Sequence, residues 1–208
     1  MRVLVFGASS TQGYWDSQGG WADRLKKHYD AIQLRDLSKD SPHVMNLGVS
    51  NDSTAEIIKR IGPESKARVN DKGLAIVIQV GSNNAAEIGG HLRSSPEKYQ
   101  QELEQIIKKA EEFTYKILVV GFPAVEESKT SPIAWADIYY RNENIASFEK
   151  AAAEICDKMD IPFVPLHNHF LNSKENLHAQ DGLHPNDAGH SQIFELVRPK
   201  LDKLLQSQ

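Results

Sequence analysis

Five short apolar runs, each closing on a glycine or a turn, constrain this chain more than any other feature. Val3 to Phe6 stops at Gly7, and Val44 to Leu47 stops at Gly48. Leu74 to Val80, the strongest run, stops at Gly81, and Ile117 to Val120 stops at Gly121-Phe122-Pro123. Pro162 to Leu166 is the fifth. Runs that are apolar throughout suit parallel strands buried on both faces, whereas a half-exposed strand would alternate. Amphipathic stretches separate them, so right-handed strand–helix–strand crossovers and an open parallel sheet covered on both sides are expected. With 208 residues, 40% apolar and 25% charged, the chain is sized for one domain over residues 1–208.

The helices are read from spacing. Trp21, Leu25 and His28-Tyr29 share a face after Gly19-Gly20. Tyr99, Leu103, Ile106-Ile107 and Ala110 mark a second helix, with Ser95 as N-cap and Pro96 as first residue. Ile145, Phe148, Ala152, Ile155 and Met159 mark a third, and Cys156 on it reads as a small buried hydrophobe. The last runs from about Asp187 through Ile193, Val197 and Leu201, and Pro199 should kink or split it. Glu126 to Asn142 is the one long irregular stretch. Its aromatics Trp135, Tyr139 and Tyr140 are candidates for contacting a substrate, because loops at the carboxyl edge of a parallel sheet often shape ligand sites.

Function in such a sheet gathers where the strands end. The first run delivers Ser9 in Gly7-Ala8-Ser9-Ser10-Thr11-Gln12-Gly13, the second Gly48, the third Asn83 in Gly81-Ser82-Asn83-Asn84. After the fifth comes Asp181-Gly182-Leu183-His184-Pro185. These are the parts of an acyl-transfer site: a nucleophile, a base, and donors for an oxyanion. A serine hydroxyl needs a base beside it, and imidazole titrates near neutrality. Two residues between Asp181 and His184 let the carboxylate reach Nδ1 of the imidazole, leaving Nε2 for Ser9. The backbone N–H groups of Ser9 and Gly48 and the side-chain amide of Asn83 are the candidate oxyanion donors.

This constellation resembles the SGNH hydrolases, the GDSL-like esterases and lipases, whose four blocks carry Ser, Gly, Asn and His in this order. Ser9 matches the first block within GxSxTxG, Gly48 the second, Asn83 the third, and Asp181 with His184 the DxxH block. The resemblance covers nearly the whole chain. It implies a three-layer α/β/α, flavodoxin-like fold with a five-stranded parallel sheet in the order 2-1-3-4-5. It also implies hydrolysis of a small acyl ester through an acyl-enzyme, with no cofactor and no metal. Two positions depart from the family: Ala8 and Asn84 stand where it usually has aspartates.

Other readings compete with this one. A non-catalytic binding module could keep the SGNH fold. A nucleotide-binding flavodoxin-like protein would use the turn after the first strand. Against the latter, the middle glycine of GxGxxG is missing and no acidic residue follows the second strand. His167, His169 and His178 hint at a metal, but no cysteine or carboxylate goes with them. A net charge of −4 with no basic stripe argues against nucleic acid. No apolar run is long enough for a membrane span or a signal core, so a cytoplasmic location is expected. The ester itself is left open among simple esters, acetylated sugars and thioesters.

Overall fold

A computed structural model describes residues 1–206. In chain order the elements are β1 (Arg2–Gly7), α1 (Ser9–Gln12), α2 (Gly20–Arg35), β2 (His43–Gly48), α3 (Thr54–Arg68) and β3 (Leu74–Gln79). There follow β4 (Glu87–Ile88), β5 (His91–Leu92), α4 (Pro96–Glu111), β6 (Ile117–Val120) and α5 (Glu127–Thr130). Then come β7 (Ile138–Tyr139), α6 (Asn142–Lys158), β8 (Phe163–Val164), α7 (His167–Leu171) and α8 (Asp187–Gln206).

All five apolar runs form strands of one parallel sheet, ordered β2-β1-β3-β6-β8. Counting those strands alone, this is the expected order 2-1-3-4-5. Successive residues of each strand point to opposite faces, and the two faces meet different helices. Leu4, Phe6, Ile76 and Ile78 pack with Ile57 and Ile61 of α3, Leu103 and Ile106 of α4, and Phe148 of α6. Val3, Val5, Ala75 and Val77 pack with Trp21 and Leu25 of α2 and with Ile193, Val197 and Leu201 of α8. Three layers result, and the apolar runs lack alternation because both faces are covered. Each fully buried aliphatic or aromatic side chain contributes about 1.5–3 kcal/mol by leaving water.

Two expectations are corrected here. Helix α8 is not split: it runs from Asp187 to Gln206 with Pro199 inside it. The proline removes one N–H, a cost of about 3 kcal/mol. Burial of Ile193, Val197 and Leu201 on both sides of that point outweighs it. The stretch from Glu126 to Asn142 is not wholly irregular: it holds α5 and β7, and β7 joins β4 and β5 in a small antiparallel sheet. Helix α4 begins as expected, with Ser95 Oγ accepting from the Lys98 N–H at 3.2 Å and Pro96 in the first turn.

The register sets the carboxyl edge. Gly7 of β1 stands opposite Gly48 of β2 and Gln79 of β3, so the segments following these strands emerge side by side. The buried Gln79 ties them together. Its Oε1 accepts from Thr11 Oγ1 at 2.9 Å and from Trp21 Nε1 at 3.0 Å, and its Nε2 donates to the Gly121 carbonyl. The threonine of the GxSxT segment therefore anchors α1 to the sheet. Gly7 has no alternative at its position, since a Cβ there would lie 2.0 Å from Thr11 Oγ1.

Candidate active site

Ser9 is the first residue of α1, immediately after the β1 edge. Its Oγ lies 2.9 Å from His184 Nε2, across 175 residues of chain. His184 Nδ1 lies 2.7 Å from Asp181 Oδ2. The other carboxylate oxygen, Oδ1, accepts the backbone N–H groups of Leu183 and His184 at 2.9 and 3.0 Å. Burial raises the Asp181 pKa, but the hydrogen bonds from the His184 ring and backbone and the imidazole's charge outweigh it. Together with the Leu183 N–H, they hold the carboxyl far below the usual carboxylate range. An ionised carboxylate only accepts, so the proton between the two residues sits on Nδ1. Nε2 is then left as an acceptor for the Ser9 hydroxyl.

Local chain geometry makes this turn. Gly182 has φ +71°, and a Cβ there would meet Lys129 Cβ at 2.8 Å. Asp181 and His184 therefore close on each other around a residue that must be glycine. The outgoing chain is pinned by an antiparallel bridge between His178 and Pro185. Asn186 reinforces it, its Nδ2 donating to the carbonyls of Asn176 and His178. Helix α8 starts directly afterwards, so the His184 ring is placed by a helix buried against the sheet.

Asn83 follows β3 and is buried. Its Nδ2 donates to the Asp52 carbonyl at 2.9 Å, and its Oδ1 accepts from Tyr140 Oη at 2.9 Å. One Nδ2 hydrogen remains, and the two bonds fix the side chain's rotation. Asn84, beside it, accepts from the Thr54 N–H and donates to Thr54 Oγ1 at 2.6 Å, joining the β3 loop to the start of α3. A neutral amide here supplies both a donor and an acceptor, which an ionised aspartate could not.

A cavity of about 30 Å³ opens at the nucleophile. Ala8, Ser9, Gly81, Asn83, Tyr140 and His184 line it, with Phe122, Val125 and Leu183 as its apolar walls. On the other side of Asp181 lies a groove of about 670 Å³, bounded by Trp15, Trp135, Gln180 and Asn186. Trp15 Nε1 donates to Asp181 Oδ2 at 2.6 Å.

The structure thus brings Ser9, Asn83, Tyr140 and His184 to one cavity, with Asp181 bonded to His184, and places the other candidates elsewhere. Gly48 is not brought to the cavity. Its N–H donates to Asn46 Oδ1 at 3.0 Å, and glycine is required there because a Cβ would lie 2.3 Å from the Gln12 nitrogen of α1. Tyr139 lies in β7, opposite Glu87 and bonded to Asp137, and lines neither the cavity nor the groove. Tyr140 lines the cavity as a buried residue that orients Asn83. Trp135 is exposed on the groove.

The three candidate histidines diverge. His178 Nε2 donates to the Ala124 carbonyl at 2.6 Å, and His169 Nε2 meets Gln192 Oε1. His167 is buried at the start of α7. Among the described residues no three His, Cys, Asp or Glu side chains gather as a metal site, and no helix is long and apolar enough to cross a membrane. Two site residues escape sequence reading. Gln79 sits inside an apolar run, and nothing in the sequence signals the indole hydrogen bond of Trp15 to Asp181.

Residues 5–192 match the family described as GDSL-like lipase/acylhydrolase. No curated protein matches the chain. Among solved structures, TesA is 25% identical, with a TM-score of 0.71 over 98% of this chain and 99% of that one. A lipase/acylhydrolase from Enterococcus faecalis is 20% identical, with a TM-score of 0.77 over 100% and 98% of the two chains. The acetyl xylan esterase AlAXEase is 16% identical, with a TM-score of 0.74 over 96% and 99%. The last two likenesses concern the fold.

Proposed function

The chain belongs to the GDSL-like lipase/acylhydrolase family and is a carboxylic ester hydrolase; we propose that it works through a Ser9–His184–Asp181 triad on esters of short acyl groups. The relay Ser9 Oγ–His184 Nε2–His184 Nδ1–Asp181 Oδ2, with steps of 2.9 and 2.7 Å, is the observation that carries this reading.

The hydroxyl of Ser9 attacks the acyl carbonyl while His184 Nε2 takes its proton. Ionised Asp181 holds the Nδ1 proton and stabilises the imidazolium. The oxyanion of the tetrahedral intermediate accepts from the Ser9 N–H and from the remaining hydrogen of Asn83 Nδ2. The Ser9 N–H opens a helix, where no intrahelical acceptor exists. Collapse of the intermediate expels the alcohol, which takes the proton from His184. Water then attacks the acyl-enzyme with His184 again as base, releasing the carboxylic acid and restoring Ser9.

The two spaces differ in size, and that difference supports an assignment of the two halves of the ester. The space beside Ser9 is the tighter one, about 30 Å³ against about 670 Å³ in the open groove beyond Asp181, and that contrast favours a short acyl group beside Ser9 and a larger alcohol in the groove. Trp135 then meets the alcohol.

A panel of nitrophenyl esters of graded acyl length tests the reading. Acetyl and propionyl esters should give the highest kcat/KM, with octanoyl about ten-fold lower or worse, since each methylene forced into a filled pocket costs binding. A preference for long chains would overturn the short-acyl assignment. Absence of turnover with every ester would overturn the triad.

A further inference from the structure

Trp15 combines two features that packing would not select. Its indole is 62% exposed, and its backbone has φ +65°, a left-handed conformation that bulky side chains rarely adopt. Such a conformation costs of order 1–3 kcal/mol and persists only where the surroundings impose it. They do so on both sides. The Tyr14 carbonyl accepts from Nε2 of the fully buried His190, whose Nδ1 accepts the Trp21 N–H. Asp16 is held by a bidentate bond from Arg24 and by the N–H groups of Gln18 and Gly20. The strained residue between these two anchors directs its one polar atom at Asp181 Oδ2, the oxygen that His184 Nδ1 uses.

We propose that Trp15 is a positioning residue for the base: its indole N–H fixes the Asp181 oxygen against which the His184 ring is aligned. Asp181 Oδ1 is already fixed by two backbone donors. Without the indole, Oδ2 would have the imidazole alone, and the pair could swing together away from Ser9. The indole also stands edge-on to the His184 ring, with centroids 6.4 Å apart and planes at 84°, which limits the same motion from the side. Because Trp15 lines the groove as well, a bound alcohol would press on the residue that aligns the base.

The inference rests on the triad reading above, and the test separates the two. Trp15→Phe keeps an aromatic ring on the groove and removes only the donor. Labelling of Ser9 by a small dialkyl fluorophosphate needs the base but does not use the groove. The variant should be labelled about ten-fold more slowly than the wild type, the size expected for losing a hydrogen bond to a charged group. Its kcat on an acetyl ester should fall in parallel, with KM little changed. In the wild type, nuclear magnetic resonance provides a second reading. The Trp15 indole proton should exchange with solvent much more slowly than that of Trp135, which is nearly as exposed at 59%. Wild-type labelling rates in Trp15→Phe, or equal exchange at the two indoles, would overturn the inference. If the wild type itself is never labelled at Ser9, the triad reading fails, while the exchange comparison still decides whether Trp15 holds Asp181.

Discussion

At the scale of single residues, the site depends on groups whose rotation is removed before substrate arrives. Asn83 shows this most directly. Its carbonyl oxygen is taken by Tyr140 and one amide hydrogen by the Asp52 carbonyl, so the last hydrogen has a fixed direction. Such a donor costs nothing to reorganise when negative charge develops. Asn83→Ala should therefore lower kcat about a hundred-fold or more with little change in KM, measured on an acetyl ester. A change confined to KM would mean that Asn83 holds the ground-state ester. Ser9, His184 and Asn83 stood out in the sequence as candidates because each follows a strand end, and they line one cavity. Gly48 also follows a strand end, and the approach of α1 accounts for a glycine there, a packing demand that reads the same in sequence as a functional one.

At the scale of elements, the connection from α1 to α2 does more than join helices. Asp16, its side chain inaccessible to solvent, accepts Arg24 and two backbone N–H groups, and Arg24 also reaches the Asp187 carbonyl at the start of α8. Burial raises the Asp16 pKa, yet the Arg24 hydrogen bond, the two N–H groups and the guanidinium charge bring it down to about 2. A carboxylate depressed in the folded state contributes stability that is present above its unfolded value near 4 and is lost as pH falls toward 2. The difference in thermal midpoint between wild type and Asp16→Asn should be large at pH 7 and close between pH 4 and 2. Asp181 titrates in both proteins and cancels in the comparison. A difference that is constant down to pH 2 would contradict this account.

Sequence reading at this scale also misses a whole helix. Helix α3 went unread because Gly62-Pro63 interrupts its pattern, although its start carries a capping box in which Ser53 and Glu56 satisfy each other's N–H groups. That local signal outlasts a broken apolar stripe. Pro63 and Pro199 both sit inside helices because the sheet supplies burial that propensity alone cannot anticipate.

At the scale of the whole molecule, the five apolar runs made a parallel sheet covered on both faces readable before any contact was known, while the strand order came only with the resemblance to the SGNH hydrolases, because right-handed crossovers are compatible with more than one order. The fold then brings the candidate site residues together. Residues 9, 83 and 184 meet because β1 and β3 are neighbours at the sheet centre and α8 carries the DxxH turn back across the same edge. What the sequence could not reveal is the space around them. The small cavity and the larger groove are made by side chains from distant segments, among them Phe122, Tyr140 and Trp15, whose convergence exists only in three dimensions.

The nucleophile is the claim on which the rest depends, and covalent capture tests it most directly. Treated with a small fluorophosphonate, the protein should gain the mass of one phosphonyl group as Ser9 Oγ displaces fluoride, and peptide mapping should find that group on Ser9. Ser9→Ala should remain unlabelled, keep its thermal midpoint within a few degrees, and lose at least about a thousand-fold in ester hydrolysis. An adduct on any other residue, or wild-type turnover in Ser9→Ala, would contradict the account.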